Sequence, residues 1–272
     1  MKTKWFMICF AVLFLMNTAG AEDLRYELAL SSCRSGEEIV LPSEQNGRKV
    51  VAIRSRCFAE DEEIMNAVVP ETIVSIGDYA FSGSSLCSIV FEGDSLEYIG
   101  AGAFELTDLE EIVLPAHVDH MMEGVFGECE ALRTVKLPED LDELPSLTFQ
   151  YCVSLRSVDI PDQVRIIRDN AFMGCEELKD IRFPKNLDQI GESAFEACVS
   201  LETVVLPKGL RIIDSRAFCE CEELSSCTIP ASVVFIAGDA FEDASDDLVL
   251  VVQTGSYALE YAVSHGINYT VI

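Results

Sequence analysis

Apolar and polar positions alternate along this chain in a unit that repeats about every 23 residues. In one unit, Val158 and Ile160 alternate with polar neighbours, which is the pattern of a half-buried strand. Pro161 follows at once and should end the strand, because proline has no N–H to donate to a sheet. A second apolar set then leads to the pair Ala171-Phe172. Each unit therefore predicts one strand, one turn and a second segment that faces inward.

Phenylalanine occupies one position of the unit throughout the repeat region. The intervals are 23 residues, except for one of 22 between Phe104 and Phe126. The nine phenylalanines are Phe58, Phe81, Phe104, Phe126, Phe149, Phe172, Phe195, Phe218 and Phe241. Such a period is typical of a solenoid, in which equivalent residues of successive coils stack about 4.8 Å apart. We therefore expect a repeat solenoid, mainly β, with the nine rings in one buried column.

The unit resembles the repeat of the BspA-type leucine-rich-repeat family, with consensus L-x-x-V-x-I-P-x-x-V-x-x-I-G-x-x-A-F-x-x-C. The best-matching stretch is Ile190-Gly191-Glu-Ser-Ala194-Phe195-Glu-Ala-Cys198-Val-Ser-Leu201. The likeness covers roughly residues 24–272. It implies stacked leucine-rich-repeat coils, a parallel sheet on the concave face, and a short capping helix and strand at the C-terminal end. Members of the family are often described as secreted or surface proteins that bind matrix or host proteins or other cells, and the family has no catalytic residues to carry over.

Some units depart from this consensus. The glycine that follows isoleucine is replaced in several of them, for example by Met122, Pro145, Arg168 and Asp214. We expect these replacements to loosen individual turns without changing the fold.

The first residues have the pattern of a cleaved secretory signal peptide. A basic start is followed by an apolar run from Trp5 to Met16 and by Ala-x-Ala, which predicts cleavage before Glu22. The alternative, an uncleaved membrane anchor, is disfavoured because a spanning helix needs roughly 20 apolar residues. The predicted segments are a signal peptide (1–21), an N-terminal cap with the first strand (22–45), a solenoid of about nine 22–23 residue coils (46–247) and a C-terminal cap (248–272).

Both caps carry local signals. Asn46-Gly47 predicts a tight loop in the opening coil, as the family resemblance also implies. In the closing segment, Ser256 and Gly266 are a suitable N-cap and C-cap for a short helix that would cover the last coil.

The charge balance restricts the partners. The chain has 19 basic and 47 acidic residues, a net charge of −28. Loss of Lys2 and Lys4 with the leader makes the mature charge −30. Such a chain repels nucleic acid and anionic lipid. We therefore expect neither a nucleic-acid partner nor membrane insertion after signal cleavage.

Five of the eleven cysteines follow the repeat period, and they predict a second inward column. They are Cys129, Cys152, Cys175, Cys198 and Cys221. We expect packing, because free cysteine behaves as a small buried hydrophobe. Scattered disulfides and a soft-metal ladder are the alternatives, but parallel side chains suit neither the disulfide geometry nor a tetrahedral site. Cys57 and Cys227 fall at core positions, whereas the disulfide state of Cys33, Cys87 and Cys219 stays open.

Other chemistry-bearing patterns are weak. His117, Asp119 and His120 share one loop but fall short of zinc-ligand spacing. No hydrolase, metalloprotease or phosphate-loop motif occurs, and the acidic runs do not fit an EF-hand. Asn268-Tyr269-Thr270 is a glycosylation sequon, which has an effect only in a host that glycosylates. We therefore expect no enzyme activity, cofactor or metal.

The exposed side of the strands supplies the candidate site. Outward positions of three consecutive coils carry five basic residues: Arg133, Lys136, Arg156, Lys179 and Arg182. An apolar stretch adjoins them: Met65, Val68, Val90 and Val113. A basic patch beside an apolar strip in an acidic chain is a plausible protein-binding surface. The alternative is that the basic residues only balance acidic ones across strands.

The sequence thus favours a secreted or cell-surface, adhesin-like binding protein with an extracellular protein partner, from the host matrix or a cell surface. A glycan partner is less favoured, because most of the mature phenylalanines belong to the core and the single Trp lies in the leader. A structural or self-assembling solenoid, with basic coils of one molecule meeting acidic turns of another, is the alternative. An enzyme or enzyme inhibitor is disfavoured. The partner's identity, the oligomeric state and any means of surface retention do not follow from the sequence.

Overall fold

A computed structural model describes residues 28–30 and 38–272, with backbone only for 28–30. The predicted signal peptide, its cleavage site and Cys33 lie outside the described residues. The segment boundaries predicted above are not tested and stay predictions.

The described chain winds as a solenoid of about ten coils, and each coil contributes strands to two sides. The front face consists of β2 (Glu38–Val40), β5 (Asn66–Val69), β7 (Ser88–Phe91), β9 (Glu111–Val113), β11 (Thr134–Lys136), β13 (Ser157–Asp159), β15 (Asp180–Arg182), β17 (Thr203–Val205), β19 (Ser226–Thr228), β21 (Val249–Val252) and β22 (Asn268–Val271). The back face consists of β4 (Arg48–Ile53), β6 (Ser75–Ile76), β8 (Tyr98–Ile99), β10 (His120–Met121), β12 (Glu143–Leu144), β14 (Ile166–Ile167), β16 (Gln189–Ile190), β18 (Ile212–Ile213) and β20 (Phe235–Ile236). The remaining elements are β1 (Leu28–Leu30), β3 (Glu44–Gln45) and the helix α1 (Tyr257–His265).

Pairing within both faces is parallel and joins equivalent residues of neighbouring coils. The front face has the strand orders β2-β5-β7, β9-β11-β13-β15 and β17-β19-β21-β22. The back face has the orders β1-β4-β6-β8-β10 and β12-β14-β16-β18-β20. The predicted solenoid with parallel sheets is therefore confirmed.

The alternating pattern of each front strand sets its burial. In β9, Glu111 and Val113 are exposed while Ile112 is buried, and β13 and β17 repeat this order. Side chains of neighbouring residues in a strand point to opposite sides of the sheet. One side of the front face therefore packs on the core, and the other presents a row of side chains to solvent.

The nine phenylalanine rings form the predicted column. Adjacent rings stack with centroids 5.0 to 5.7 Å apart and interplanar angles of 7 to 22°. The backbone follows the same ladder: Phe172 donates its N–H to the carbonyl of Ala194 in the next coil at 2.8 Å. Each coil thus covers the core of the coil before it.

Two further columns flank the rings and have left-handed backbone, with φ between 51 and 72°. Two residues before the ring lie Arg56, Tyr79, Gly102, Gly124, Leu147, Asn170, Ser193 and Arg216. Two residues after it lie Glu60, Gly83, Leu106, Glu128, Tyr151, Gly174, Ala197, Glu220 and Asp243. Most are not glycine, although this conformation costs an L-residue roughly 1–2 kcal/mol. The inter-coil hydrogen bonds and the buried ring between the two columns hold the chain there.

The consensus glycine that follows isoleucine has a different role. Gly191 does not have a left-handed backbone. A Cβ atom built on Gly191 would lie 2.9 Å from the backbone N of Asp169 in the coil before. Glycine at this position therefore permits a close contact between coils. It is not required there by a turn with positive φ.

Both ends of the solenoid follow their sequence signals. β3 and β4 form an antiparallel hairpin whose two loop residues, Asn46 and Gly47, have φ values of 54° and 75°, as a two-residue hairpin turn requires. Helix α1 begins after Ser256, whose hydroxyl accepts the N–H of Leu259, and ends at Gly266 with φ 70°. Strand β22 then pairs with β21. The predicted capping helix and strand are confirmed.

Candidate binding surface

The outward column of the front face brings the predicted apolar and basic residues onto one surface. Val68 pairs in register with Val90, and Val113 pairs with Lys136. Asp159 pairs with Arg182 one coil further on. Because these residues occupy equivalent positions of successive coils, the apolar stretch passes directly into the charged one.

Most of these side chains are accessible. Val90 is 56% exposed, Val113 is 62% and Met65 is 39%, whereas Val68 is half-buried. All five basic residues are exposed. Lys136 and Arg182 lie in paired strands, and Arg133, Arg156 and Lys179 each come directly before one. Backbone hydrogen bonds between coils, such as Lys179 N–H to the carbonyl of Arg156 at 3.0 Å, hold their spacing.

Two further exposed valines extend the surface, Val40 and Val205, each 65% exposed. Val40 pairs with Val68, and Val205 continues the column beyond Arg182. Val40 was not assigned from the sequence because the opening coil, with its hairpin, is longer than the repeat period. The alternation in Glu38-Ile39-Val40 was the signal that could have found it.

Four of the five basic side chains have acidic neighbours within the described surface. The pairs are Arg133–Glu110 at 3.9 Å, Arg156–Glu177 at 2.9 Å, Lys179–Glu202 at 3.7 Å and Arg182–Asp162 at 3.0 Å. These groups are largely exposed, and exposed pairs contribute between about 0 and 1 kcal/mol. The surface is therefore a mosaic of both signs rather than a uniformly basic patch.

Lys136 forms no ion pair with any residue from 38 to 272. It lines a shallow depression of about 640 Å³ on the front face, together with Thr134, Ser157, Asp159 and Arg182. Arg182 is held there by Asp162 and by the carbonyl of Ile160, at 3.0 and 3.4 Å. The depression thus offers one unpaired cation, one fixed cation and exposed hydroxyls beside the apolar column.

The cysteine column is a feature of packing. Its five thiols are buried. Each donates to the carbonyl of the phenylalanine one coil earlier, as from Cys152 to Phe126 at 3.1 Å and from Cys198 to Phe172 at 3.2 Å. Burial raises the pKa of the Cys129 thiol to about 11 and that of Cys221 to about 12. The thiolate that metal binding or nucleophilic attack requires is therefore disfavoured.

Cysteines outside this column also lack disulfides within the described chain. Cys227 is buried and Cys57 is half-buried against the core. Cys219 is buried, and its pKa is raised to about 11, chiefly by burial. Cys87 is half-buried.

Within residues 38–272, one group of possible metal ligands has its ligand atoms within 4.8 Å of one another. It consists of Glu196, Cys219 and Glu220. Arg216 already fills this place. It contacts Glu196 in a two-point pair at 2.7 and 3.1 Å, and it contacts Glu220 at 3.2 Å. The guanidinium supplies the positive charge that a cation would otherwise bring, so the group is an internal ion cluster.

The predicted histidine loop lies at the margin of the back face. His117 Nδ1 lies 2.8 Å from Asp140, and His120 Nδ1 lies 2.6 Å from Asp119. The pKa of each histidine is raised by its hydrogen-bonded carboxylate. The two imidazoles face different carboxylates, and the loop does not gather a shared ligand set.

Comparisons with known proteins bear on the fold. A family model described as the BspA type leucine-rich repeat region matches in six copies, over residues 51–179 and 142–254. No curated protein matches the sequence. The solved leucine-rich repeat protein from Bacteroides ovatus ATCC 8483 is 21% identical, with a TM-score of 0.67 over 98% of this chain and 76% of that one.

Two other solved structures are more distant. A leucine-rich cell surface protein from Faecalibacterium prausnitzii A2-165 is 20% identical, with a TM-score of 0.38 over 94% of this chain and 95% of that one. The pneumococcal vaccine antigen PcpA is 14% identical, with a TM-score of 0.42 over 91% and 94%. The part of the chain that the structure describes contains no helix long and apolar enough to cross a bilayer.

Proposed function

Because the chain belongs to the BspA-type leucine-rich repeat family, we propose that it is a secreted or cell-surface, adhesin-like protein that binds an extracellular protein through the front face. The observation that carries the proposal is the outward column of that face. The exposed Val40, Val90 and Val113, with the half-buried Val68 in the same column, adjoin a fixed array of paired charges around Lys136. An apolar strip with a polar surround on a rigid scaffold suits a protein partner.

Binding fits the surface better than catalysis. The depression beside Lys136 is open, and its hydroxyl, carboxylate and cationic groups stand on neighbouring strands with no nucleophile and base in contact. The column thiols, the most nucleophilic side-chain type in the chain, are buried with raised pKa values. These features support a role without enzyme activity.

The ion pairs favour one kind of partner over another. Since four of the basic side chains already have acidic neighbours, a uniformly acidic partner would gain little from them. A partner with its own alternating charges could exchange pairs with Glu110, Arg156 and Glu177 while an apolar segment covers the valines. The same pairing disfavours the alternative, a solenoid that assembles through its basic coils, because those side chains are occupied within one molecule.

A triple charge reversal tests the proposed site. In Arg133→Glu, Arg156→Glu, Arg182→Glu, capture of proteins from an extracellular-matrix or cell-surface extract should fall at least about tenfold. The matched control is Arg165→Glu, Lys208→Glu, Arg211→Glu, which changes net charge equally at exposed sites off the front sheet. Lys185 is unsuitable as a control because it shares Asp162 with Arg182, at 2.7 Å.

Both variants should fold, since isolated surface substitutions usually change stability by about 0.5 kcal/mol or less, and thermal melts check this. Equal losses in the two triples would indicate a general charge effect. Full binding by the front triple would move the site off the front face.

A third variant, Val90→Lys, tests the apolar strip separately. It should weaken capture without altering the basic residues.

Secretion is tested by measuring the intact mass of the exported protein. The mass should correspond to a chain that begins at Glu22, and a retained leader would contradict the proposed location.

A further inference from the structure

The C-terminal end of the solenoid differs from the rest of the surface in charge. Residues 248–272 contain a single charged side chain, Glu260, whereas Asp, Glu, Lys and Arg make up 24% of the whole chain. The same segment carries one third of the large exposed apolar residues of the described chain. They are Tyr257, Val263, Tyr269, Val271 and Ile272. A terminal cap of a solenoid normally presents a polar outer face, whereas here five large apolar side chains share the exposed surface with uncharged polar ones such as Gln253, Ser264 and Asn268.

Strand β22 forms the edge of the front face at this end. It pairs on one side with β21, through Leu250–Tyr269 and Val252–Val271 among other pairs. The N–H of Ile272 donates to the carbonyl of Val252 at 2.9 Å. Successive residues of a strand point their backbone groups to opposite sides. The N–H and C=O groups of Tyr269 and Val271 therefore point away from the solenoid.

The core side of β22 is also incompletely covered. Leu250 and Val252 are buried, but the equivalent side chains of the next strand, Tyr269 and Val271, are 46% and 44% exposed. Helix α1 covers the interior with Ala258, Tyr261 and Ala262 and leaves the edge strand open. Natural edge strands are usually protected by a charge, a proline or a bulge. β22, with the sequence Asn-Tyr-Thr-Val, has none of these.

We propose that β22 pairs antiparallel with β22 of a second copy of this chain. A two-fold axis at Thr270 places Tyr269 opposite Val271 of the second copy, and the outward backbone groups then form about four hydrogen bonds. The contact is isologous and closes at a dimer. In a chain of net charge −28, this end, with Glu260 as the one charged side chain of residues 248–272, is where two copies approach with the least repulsion.

The dimer should be weak, because short strand pairing buries less than the roughly 1,200 Å² of a stable interface. It should strengthen with salt, since NaCl screens repulsion between the acidic coils while the neutral contact is unaffected. This distinguishes it from association through ion pairs, which salt weakens. It is also independent of the front-face binding site, which lies on other coils.

Sedimentation equilibrium of the full chain, from about 5 to 300 µM in 50 and 500 mM NaCl, tests the proposal. We expect a monomer–dimer equilibrium that tightens in high salt. Val271→Pro should weaken dimerisation at least tenfold, because it removes an outward N–H and leaves the bonds to β21 in place; proline is tolerated on an edge strand with that geometry.

Tyr269→Lys should also weaken dimerisation, because it adds a charge to the edge strand of each copy. Val263→Lys adds the same charge on the exposed side of α1 and should keep the dimer, as should the front-face variant Val90→Lys. Melting temperatures identify any variant that fails to fold. A wild type that stays monomeric at 300 µM, assemblies larger than a dimer, or dimers that survive both edge variants would each overturn the proposal.

Discussion

At the scale of single residues, the position of a cysteine in the repeat determines the environment of its thiol. A cysteine that recurs every 23 residues on an inward position is stacked on its equivalents, and each thiol meets a phenylalanine carbonyl of the coil before. The carbonyl of Phe126, for instance, accepts both the N–H of Cys129 at 3.2 Å and the thiol of Cys152 at 3.1 Å. The thiol fills a small site and satisfies an acceptor.

The column thiols should therefore resist labelling in the native state. At pH 8, Cys152, Cys175 and Cys198 should react at least about 100-fold more slowly than in denaturant, because reaction requires opening of the core. Half-buried Cys87 is the internal comparison and should react first. Peptide mapping after timed labelling measures this, and rapid reaction of all three column thiols would contradict their packing role.

Arg216 should make stability depend on pH through Glu196. The guanidinium lowers the pKa of this buried carboxyl, so the pair stabilises the fold above the ordinary glutamate pKa of about 4.3 and loses that effect as pH falls through the lowered value. Arg216→Gln should lower the melting temperature most above about pH 5, and the difference from wild type should narrow towards pH 3.

The matched control is Arg211→Gln, which removes an exposed arginine five residues before Arg216 and should change the melting temperature little at any pH. A gap for Arg216→Gln that is the same at pH 3 and pH 7 would show that Glu196 is not the group involved.

At the scale of elements, the coil is stable only against its neighbours. Front strands of three or four residues and back strands of two, with β4 at six residues the exception, are too short to persist alone. The phenylalanine column joins them: Phe172 stacks between Phe149 and Phe195 at 5.2 and 5.1 Å. Removing one ring opens a gap that both adjacent coils share.

Phe172→Ala should cost roughly 3–5 kcal/mol of unfolding free energy, as for other buried aromatic truncations. Phe241→Ala, at the last position of the column, should cost less, because Phe241 stacks on a single phenylalanine and meets Tyr261 at a tilt. Urea unfolding monitored by circular dichroism measures both. Equal losses of unfolding free energy in the two variants would mean that the number of stacked neighbours does not determine how much a ring stabilises the fold.

The left-handed columns that flank the rings show a limit of sequence reasoning at this scale. Arginine, tyrosine, leucine, glutamate and glycine share equivalent positions there, so no residue preference reveals the backbone. Glycine at 83 and 174 was the available signal, but seven other coils place side chains at the same point. The conformation is imposed by hydrogen bonds between coils, which have no counterpart in one unit of sequence.

At the scale of the whole molecule, net charge opposes the compact state. Exposed ion pairs such as Arg156–Glu177 and Arg168–Glu143 are few beside an excess of 28 negative charges. Self-repulsion of this size should dominate the salt response. The melting temperature should therefore rise between 20 and 300 mM NaCl, as measured by differential scanning fluorimetry. A fall over this range would show that the local ion pairs outweigh the net charge.

The periodic residues determined most of the architecture by themselves. Apolar residues, proline and phenylalanine at a fixed 23-residue spacing allow only a stack of equal coils, because any other arrangement would leave the apolar side of each unit in water. Asn46-Gly47 and the Ser256 and Gly266 caps likewise specify their turn and helix from local backbone preferences alone.

The tertiary structure decided what depends on distances between coils. Lys136 and Arg182 have the same place in their units, yet one lacks an ion pair within the described chain and the other is fixed by Asp162. Arg216 contacts three carboxylates, and β22 pairs with β21 alone among the strands that the structure describes, for reasons that no single repeat contains. Each outcome depends on which side chain the neighbouring coil presents a few ångströms away, and stacking alone determines that.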